Sequence, residues 1–194
     1  TTAPQYISFG NLFDDSPEWG STLVILPFMY YDQYGDSTLI TDNYEPMRRY
    51  VDYLTSRADN GIVSHGLGDW YDYGPWRAGF SKNTPVPLVA TAHYIFDIQL
   101  LVRAAEMTGR KDDVKKYSAL LKEVTDDFNR EFYKPDSCTY GTGSQTSNAL
   151  PLYLGLTGKN KQAVMQSLIN DIKEHGNRLT TGDVGNRYLF QTLA

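Results

Sequence analysis

Helix-length runs that are apolar on every side alternate along this chain with runs that carry a single apolar stripe, and this alternation limits the fold more than any other feature. From Ser21 to Tyr31 the residues Leu23, Val24, Ile25, Leu26, Phe28 and Met29 leave no polar face, which predicts a helix buried all round. Pro27 is expected to kink it. The segment from Ser37 to Arg57 instead sets Tyr44, Met47, Tyr50, Val51 and Leu54 at helical spacing, with Arg48, Arg49 and Asp52 between them. That pattern predicts one amphipathic helix facing outward.

The pair then recurs. From Pro87 to Thr108 the chain is again largely apolar, through Leu88, Val89, Ala92, Tyr94, Ile95, Phe96, Ile98, Leu100, Leu101 and Val102, and it stops at Gly109, a natural C-terminal cap. His93 falls inside this run and is expected to be a satisfied core residue. Between Asp112 and Tyr133 a stripe of Val114, Tyr117, Leu120, Leu121, Val124, Phe128 and Phe132 is opposed by Lys115, Lys116, Lys122, Glu123 and Asp127, and Pro135 ends it. A third round has Asn148 to Leu156 as a short buried helix and Val164, Leu168, Ile169 and Ile172 striping its outer partner, closed by Gly176. The segment from Val184 to Ala194 opens another inner helix.

No run shows a convincing strand-like period of two. The expected class is therefore all-α: antiparallel helical hairpins, three complete and the start of a fourth. Their lengths differ and no fingerprint recurs, which favours part of a closed helical toroid over a repeat solenoid. In a toroid every outer-to-inner connection lies on one rim. Those connections are Pro17 to Ser21, Asp59 to Pro87, Asp136 to Ser147, and Gly176 to Asp183.

The second connection is too long to be a plain linker, and its content argues for function: His65, Asp69, Trp70, Tyr71, Asp72, Tyr73 and Trp76. Tryptophan and tyrosine faces suit the C–H faces of sugar rings, and carboxylates bind hydroxyls. Trp19, Trp70 and Asp69 are the candidate sugar-binding residues. For Trp19, a core plug and a pocket wall stand as equal readings; the Gly-Asp-Trp-Tyr-Asp setting of Trp70 favours the pocket. Glycoside hydrolysis commonly needs two carboxylates, and Glu18, Asp69 and Asp72 are available on the inferred rim. A first-turn charge complementing the helix dipole is the favoured reading of Glu18. His175 reads as a C-terminal cap and His65 is left undecided.

Other chemistries find little support. A net charge of −5 with scattered basic residues argues against a nucleic-acid partner. The single cysteine, Cys138, excludes an internal disulfide. No His, Cys or carboxylate cluster has metal spacing, and Gly66-Leu67-Gly68 lacks the third glycine and the strand of a dinucleotide loop, so no cofactor is expected. No apolar run is read as long enough to span a bilayer, and no charged-then-apolar leader opens the chain. A soluble chain of open compartment is expected. Thr1, in place of an initiating methionine, fits a processed or excised piece.

The ordered set Glu18-Trp19-Gly20, Tyr34-Gly35-Asp36, Gly68-Asp69-Trp70, Ala90-Thr91-Ala92, Phe128-Asn129, His175-Gly176 and Leu179-Thr180-Thr181-Gly182 resembles bacterial α-L-rhamnosidases of the six-hairpin class, from Pro17 to Ala194. The resemblance implies an (α/α)6 barrel that removes terminal α-L-rhamnose with inversion. It implies that Trp19 and Trp70 line the rhamnose pocket and that Asp69 supports the same rim. It also places the general acid upstream and the general base, a glutamate, downstream of this chain, so that residues 1–194 are a partial catalytic domain, inactive alone. Ser21 stands where many relatives carry aspartate. Missing helices would leave an apolar face, and self-association through it is expected. The alternatives are another six-hairpin glycosidase or phosphorylase, or a non-catalytic helical-repeat interaction module.

Overall fold

Residues 15–194 are described by a computed structural model. A single turn, α1 (Pro17–Gly20), leads into α2 (Thr22–Tyr34), followed by α3 (Thr38–Asp42) and α4 (Tyr44–Arg57). After the long loop come α5 (Val86–Met107) and α6 (Lys111–Phe132), then a small antiparallel hairpin of β1 (Tyr133–Lys134) and β2 (Thr139–Tyr140). The chain finishes with α7 (Gln145–Tyr153), α8 (Lys161–Glu174) and α9 (Asp183–Leu193). Helix α5 packs on α4 and α6 outside it and on α2 and α7 beside it, while α7 packs on α8 and α9. This gives an inner row α2, α5, α7, α9 backed by an outer row α4, α6, α8, the arrangement expected of helical hairpins.

The inner row makes the core. In α5, Leu88, Val89, Ala92, Tyr94, Ile95, Ile98 and Leu101 are wholly buried, and α6 meets it with Tyr117, Val124 and Phe128. Each buried Leu, Ile, Val or Phe side chain among them stabilises the fold by roughly 1.5–3 kcal/mol. Gly109, at φ 71°, lets α5 end and α6 start within three residues. By length and composition α5 could cross a membrane, contrary to the sequence expectation, but 78% of its apolar window is buried within the fold, as in a core helix.

Four further expectations need correction. The segment 37–57 is two helices: Asn43 spends its side-chain amide on the Leu39 carbonyl (2.8 Å), and Pro46 has no N–H to give to Asp42, so a new helix begins at Tyr44. Helix α7 starts three residues earlier than expected. Its polar first turn reads as loop, yet Gln145, Thr146, Ser147 and Asn148 are buried and hydrogen-bonded, and the Ser144 hydroxyl caps the helix by accepting the Ser147 N–H (3.2 Å). The β1–β2 hairpin is too short to leave a period-two signal. Finally, α2 is not buried all round: Val24, Ile25 and Phe28 face the core, whereas Leu26, Met29, Tyr30 and Tyr34 are exposed. An apolar sequence cannot specify what covers it.

Candidate functional site

The loops predicted to share a rim are tied together at one end of the inner helices. Glu18, in the turn before α2, accepts the Gly68 N–H (2.8 Å) on Oε1 and the Ser16 hydroxyl on Oε2, and Ser16 Oγ in turn accepts the Leu67 N–H (3.2 Å). Burial pushes the Glu18 carboxyl up, and these bonds oppose that shift. Glu18 is thus a strut between α1 and the long loop, beyond the helix-end charge expected from sequence. Gly20 is needed beside it, because a Cβ there would collide with the Tyr50 ring of α4.

Asp69 is fully buried and spans from the long loop to α9. Its Oδ2 accepts from Thr146 Oγ1 (2.5 Å) and the Gly182 N–H (2.8 Å), and its Oδ1 accepts the Gly185 N–H (2.7 Å). A helix start leaves backbone N–H groups without partners and favours negative charge, so Asp69 caps α9 from 113 residues away. Burial raises its pKa; the three bonds act in the other direction. Asp72 organises the loop itself, accepting the N–H groups of Lys82 (3.0 Å), Asn83 (2.6 Å) and Thr84 (3.0 Å) together with Trp76 Nε1 (3.2 Å). Thr142 donates to the Asn83 carbonyl (2.6 Å), and Thr84 and Ser144 share a hydroxyl bond (2.8 Å). All four connections therefore meet.

Next to this junction an open cleft of about 280 Å³ runs between α2 and α9 over α5. Trp19, Ile25 and Met29 form one side, Asp183, Arg187 and Tyr188 the other, with His93 between them. The Val89 carbonyl, 2.8 Å from His93 Nδ1, can only accept, so Nδ1 carries the proton and Nε2 accepts from the Tyr188 hydroxyl (3.1 Å). Burial drives the His93 pKa down to about 4, so the ring is neutral at neutral pH. One turn further along α5, Asp97 is fully buried and accepts from Ser21 Oγ (2.7 Å), and burial holds its carboxyl well above the ordinary aspartate range.

Of the predicted sugar-binding residues, Trp19 lies half-buried in the cleft wall. Trp70 lies in the loop just behind: its carbonyl accepts the N–H of Asp183 (2.7 Å), a cleft residue, while its ring packs against Tyr71 and Phe80 (both 5.7 Å between centroids). Asp69 sets the start of α9 from below. His65 Nε2 pairs with Asp15 (2.7 Å), and His175 Nδ1 bonds the Asp171 carbonyl (2.9 Å) at the end of α8. Among the described residues no three His, Cys, Asp or Glu side chains gather as a metal site. Sequence reasoning missed Asp97, Asp183, Arg187 and Tyr188. A usable signal existed for Asp97, which stands four residues from His93 in an otherwise apolar helix; the others sit in a short terminal segment with no distinguishing pattern.

Residues 1–194 match the family described as the bacterial alpha-L-rhamnosidase 6 hairpin glycosidase domain. An α-L-rhamnosidase of Formosa agariphila is 30% identical over 92% of this chain and 19% of its own length, and one from an Alteromonas species is 29% identical over 98% and 21%. Among solved structures, the α-L-rhamnosidase of Dictyoglumus thermophilum superposes with a TM-score of 0.85 at 32% identity, covering 92% of this chain and 20% of that one. The Streptomyces avermitilis α-L-rhamnosidase, solved with L-rhamnose, gives 0.84 at 25% identity over 96% and 17%. The chain spans about a fifth of the length of these relatives. Its helical hairpins are part of an (α/α)6 toroid, and the chain belongs to the six-hairpin glycosidase domain family of bacterial α-L-rhamnosidases.

Proposed function

We propose that the protein containing this chain removes terminal α-L-rhamnose from rhamnosides or polysaccharides with inversion, and that residues 1–194 supply three hairpins and the start of a fourth of its catalytic domain. The observation that carries this reading is the cleft between α2 and α9, which Trp19 lines together with Asp183 and Arg187. An aromatic face for the ring and charged groups for its hydroxyls are what a sugar site requires. Fold alone does not choose a substrate; the choice of rhamnose rests on the family and on relatives named as α-L-rhamnosidases. The gathered rim disfavours a helical-repeat interaction module, whose loops would spread along a ridge.

In this reading Trp19 contacts the sugar, and Trp70 and Asp69 fix the rim that presents Asp183 and Arg187. Glu18 acts as a brace, its two oxygens accepting from the Ser16 hydroxyl and the Gly68 N–H. The acid that protonates the leaving oxygen and the base that activates water come from chain outside these residues. The exposed apolar side chains of α2 and α9 outside the cleft, Tyr30, Tyr34, Phe190 and Leu193, are then the faces that neighbouring hairpins cover, and residues 1–194 alone self-associate through them.

The test is hydrolysis of 4-nitrophenyl α-L-rhamnoside by the protein with its flanking chain, with the anomer released first read by NMR. The β-anomer supports the proposal. The α-anomer contradicts inversion, and cleavage of glucosides or phosphorolysis in place of rhamnoside hydrolysis would assign the protein to another six-hairpin activity.

A further inference from the structure

The long loop carries an aromatic surface that neither the core nor the cleft uses. Tyr71 and Tyr73 are 57% and 68% exposed. Such exposure on a loose loop would mean little, but this loop is fixed. Asp72, between the two tyrosines, accepts three backbone N–H groups from residues 82–84 and the indole N–H of Trp76. The Tyr71 N–H points to the Gly79 carbonyl (3.4 Å) and the Tyr73 N–H to the Thr180 carbonyl (3.1 Å). Tyr71 adopts φ 64°, the left-handed region that a bulky side chain rarely enters, and such a conformation persists only where surrounding structure enforces it, commonly at ligand sites.

The loop that carries this aromatic surface is also tied to the start of α9, which lines the cleft. The Tyr71 ring stands edge-on to Trp70 (5.7 Å, 87°), and the Trp70 carbonyl holds the Asp183 N–H. Tyr73 is joined to Thr180, three residues before Asp183. The backbone of both tyrosines is therefore anchored beside the N-terminal end of α9, whose Asp183 lines the cleft.

We infer that Tyr71 and Tyr73 form a platform for the group to which rhamnose is attached, a ring with a flat apolar face such as a second sugar or an aromatic ring. This rests on the rhamnosidase reading above. A sugar bound against Trp19 must direct its glycosidic bond out of the cleft, and a rigid aromatic surface on the loop that holds the start of α9 can receive the ring on the far side of that bond. Tyrosines on a fixed loop give contact area with little ordering cost.

The experiment uses the protein with its flanking chain, comparing wild type, Tyr71→Ala, Tyr73→Ala, the double alanine variant and the double phenylalanine variant. The substrates are methyl α-L-rhamnoside, which has no ring on the leaving side, and a rhamnosyl-glucose disaccharide. The readout is the ratio of kcat/KM for the disaccharide to that for the methyl glycoside, which cancels any general loss of folding or chemistry. The double alanine variant should lower this ratio roughly five- to tenfold, through KM, and the phenylalanine variant should retain it. An unchanged ratio in the double alanine variant overturns the platform while leaving the rhamnosidase reading intact. Failure of the wild type to cleave either rhamnoside overturns that reading, and the platform with it.

Discussion

Asp97 and His93 are ionisable groups one turn apart on the most buried helix, and their burial has opposite consequences for stability. Asp97 keeps its proton in the fold at pH values where the unfolded chain has lost it. Its contribution to stability is therefore present below the ordinary aspartate pKa and lost as pH rises towards its own raised value, by up to about 1.4 kcal/mol per pH unit. His93 stays neutral down to about pH 4, so its contribution is present above the ordinary histidine pKa and lost as pH falls from there towards about 4. Where the two windows overlap they cancel. Asp97→Asn should abolish the loss on the alkaline side and unmask a rise in stability from about pH 4 to about 6.5. Denaturant titrations across that range check this; an unaltered pH profile would contradict it. Asp69 offers a second test. An asparagine has one acceptor oxygen where Thr146, Gly182 and Gly185 present three donors, so Asp69→Asn should cost about 2–4 kcal/mol, seen as a lower denaturation midpoint and faster exchange of the Gly185 amide.

At the scale of elements, the site depends on how closely the long loop lies against the start of α9. A Cβ on Gly182 would run into the backbone carbonyls of Asp69 and Trp70, and backbone cannot turn aside as a side chain can. Gly182→Ala should therefore cost roughly 1–3 kcal/mol and loosen α9, with amide exchange accelerating in residues 183–190 while α5 and α6 stay protected. Loss of protection spread evenly over all helices would mean that the contact is not local. Elements were legible where local chemistry punctuates them. Gly109 and Pro135 bound α5 and α6 to within a residue or two, because a left-handed cap and a missing N–H act on the spot. The break at Asn43 and the early start of α7 were not legible, since each turns on whether a polar side chain finds a particular backbone partner. For Gln145 those partners are the Arg178 carbonyl and the Thr180 N–H, more than thirty residues away.

For the molecule as a whole, the alternation of all-apolar and striped helices was enough to give the inner and outer rows, because burial follows the apolar face whatever the connections do. The same pattern could not show that α2 leaves Leu26, Met29 and Tyr34 exposed, or that α9 does so with Phe190 and Leu193. The loops that form the site were legible from their tryptophans and carboxylates, but the roles were not: Asp69 caps a helix and Glu18 braces a loop, and both act on backbone far along the chain. Residues 1–194 prepared alone should sediment as a concentration-dependent oligomer, and Tyr34→Glu with Phe190→Glu should shift them towards monomer. A wild-type chain that stays monomeric at high concentration would count against the open faces being covered in the parent domain.

The central claim is that the cleft walled by Trp19 is the sugar site, and calorimetric titration of L-rhamnose into the protein with its flanking chain tests it most directly. Wild type should bind L-rhamnose in preference to D-glucose, and Trp19→Ala should weaken that binding about tenfold or more, in keeping with loss of an aromatic contact inside a partly desolvated pocket. Rhamnose affinity that survives Trp19→Ala unchanged would place the sugar elsewhere and contradict the claim.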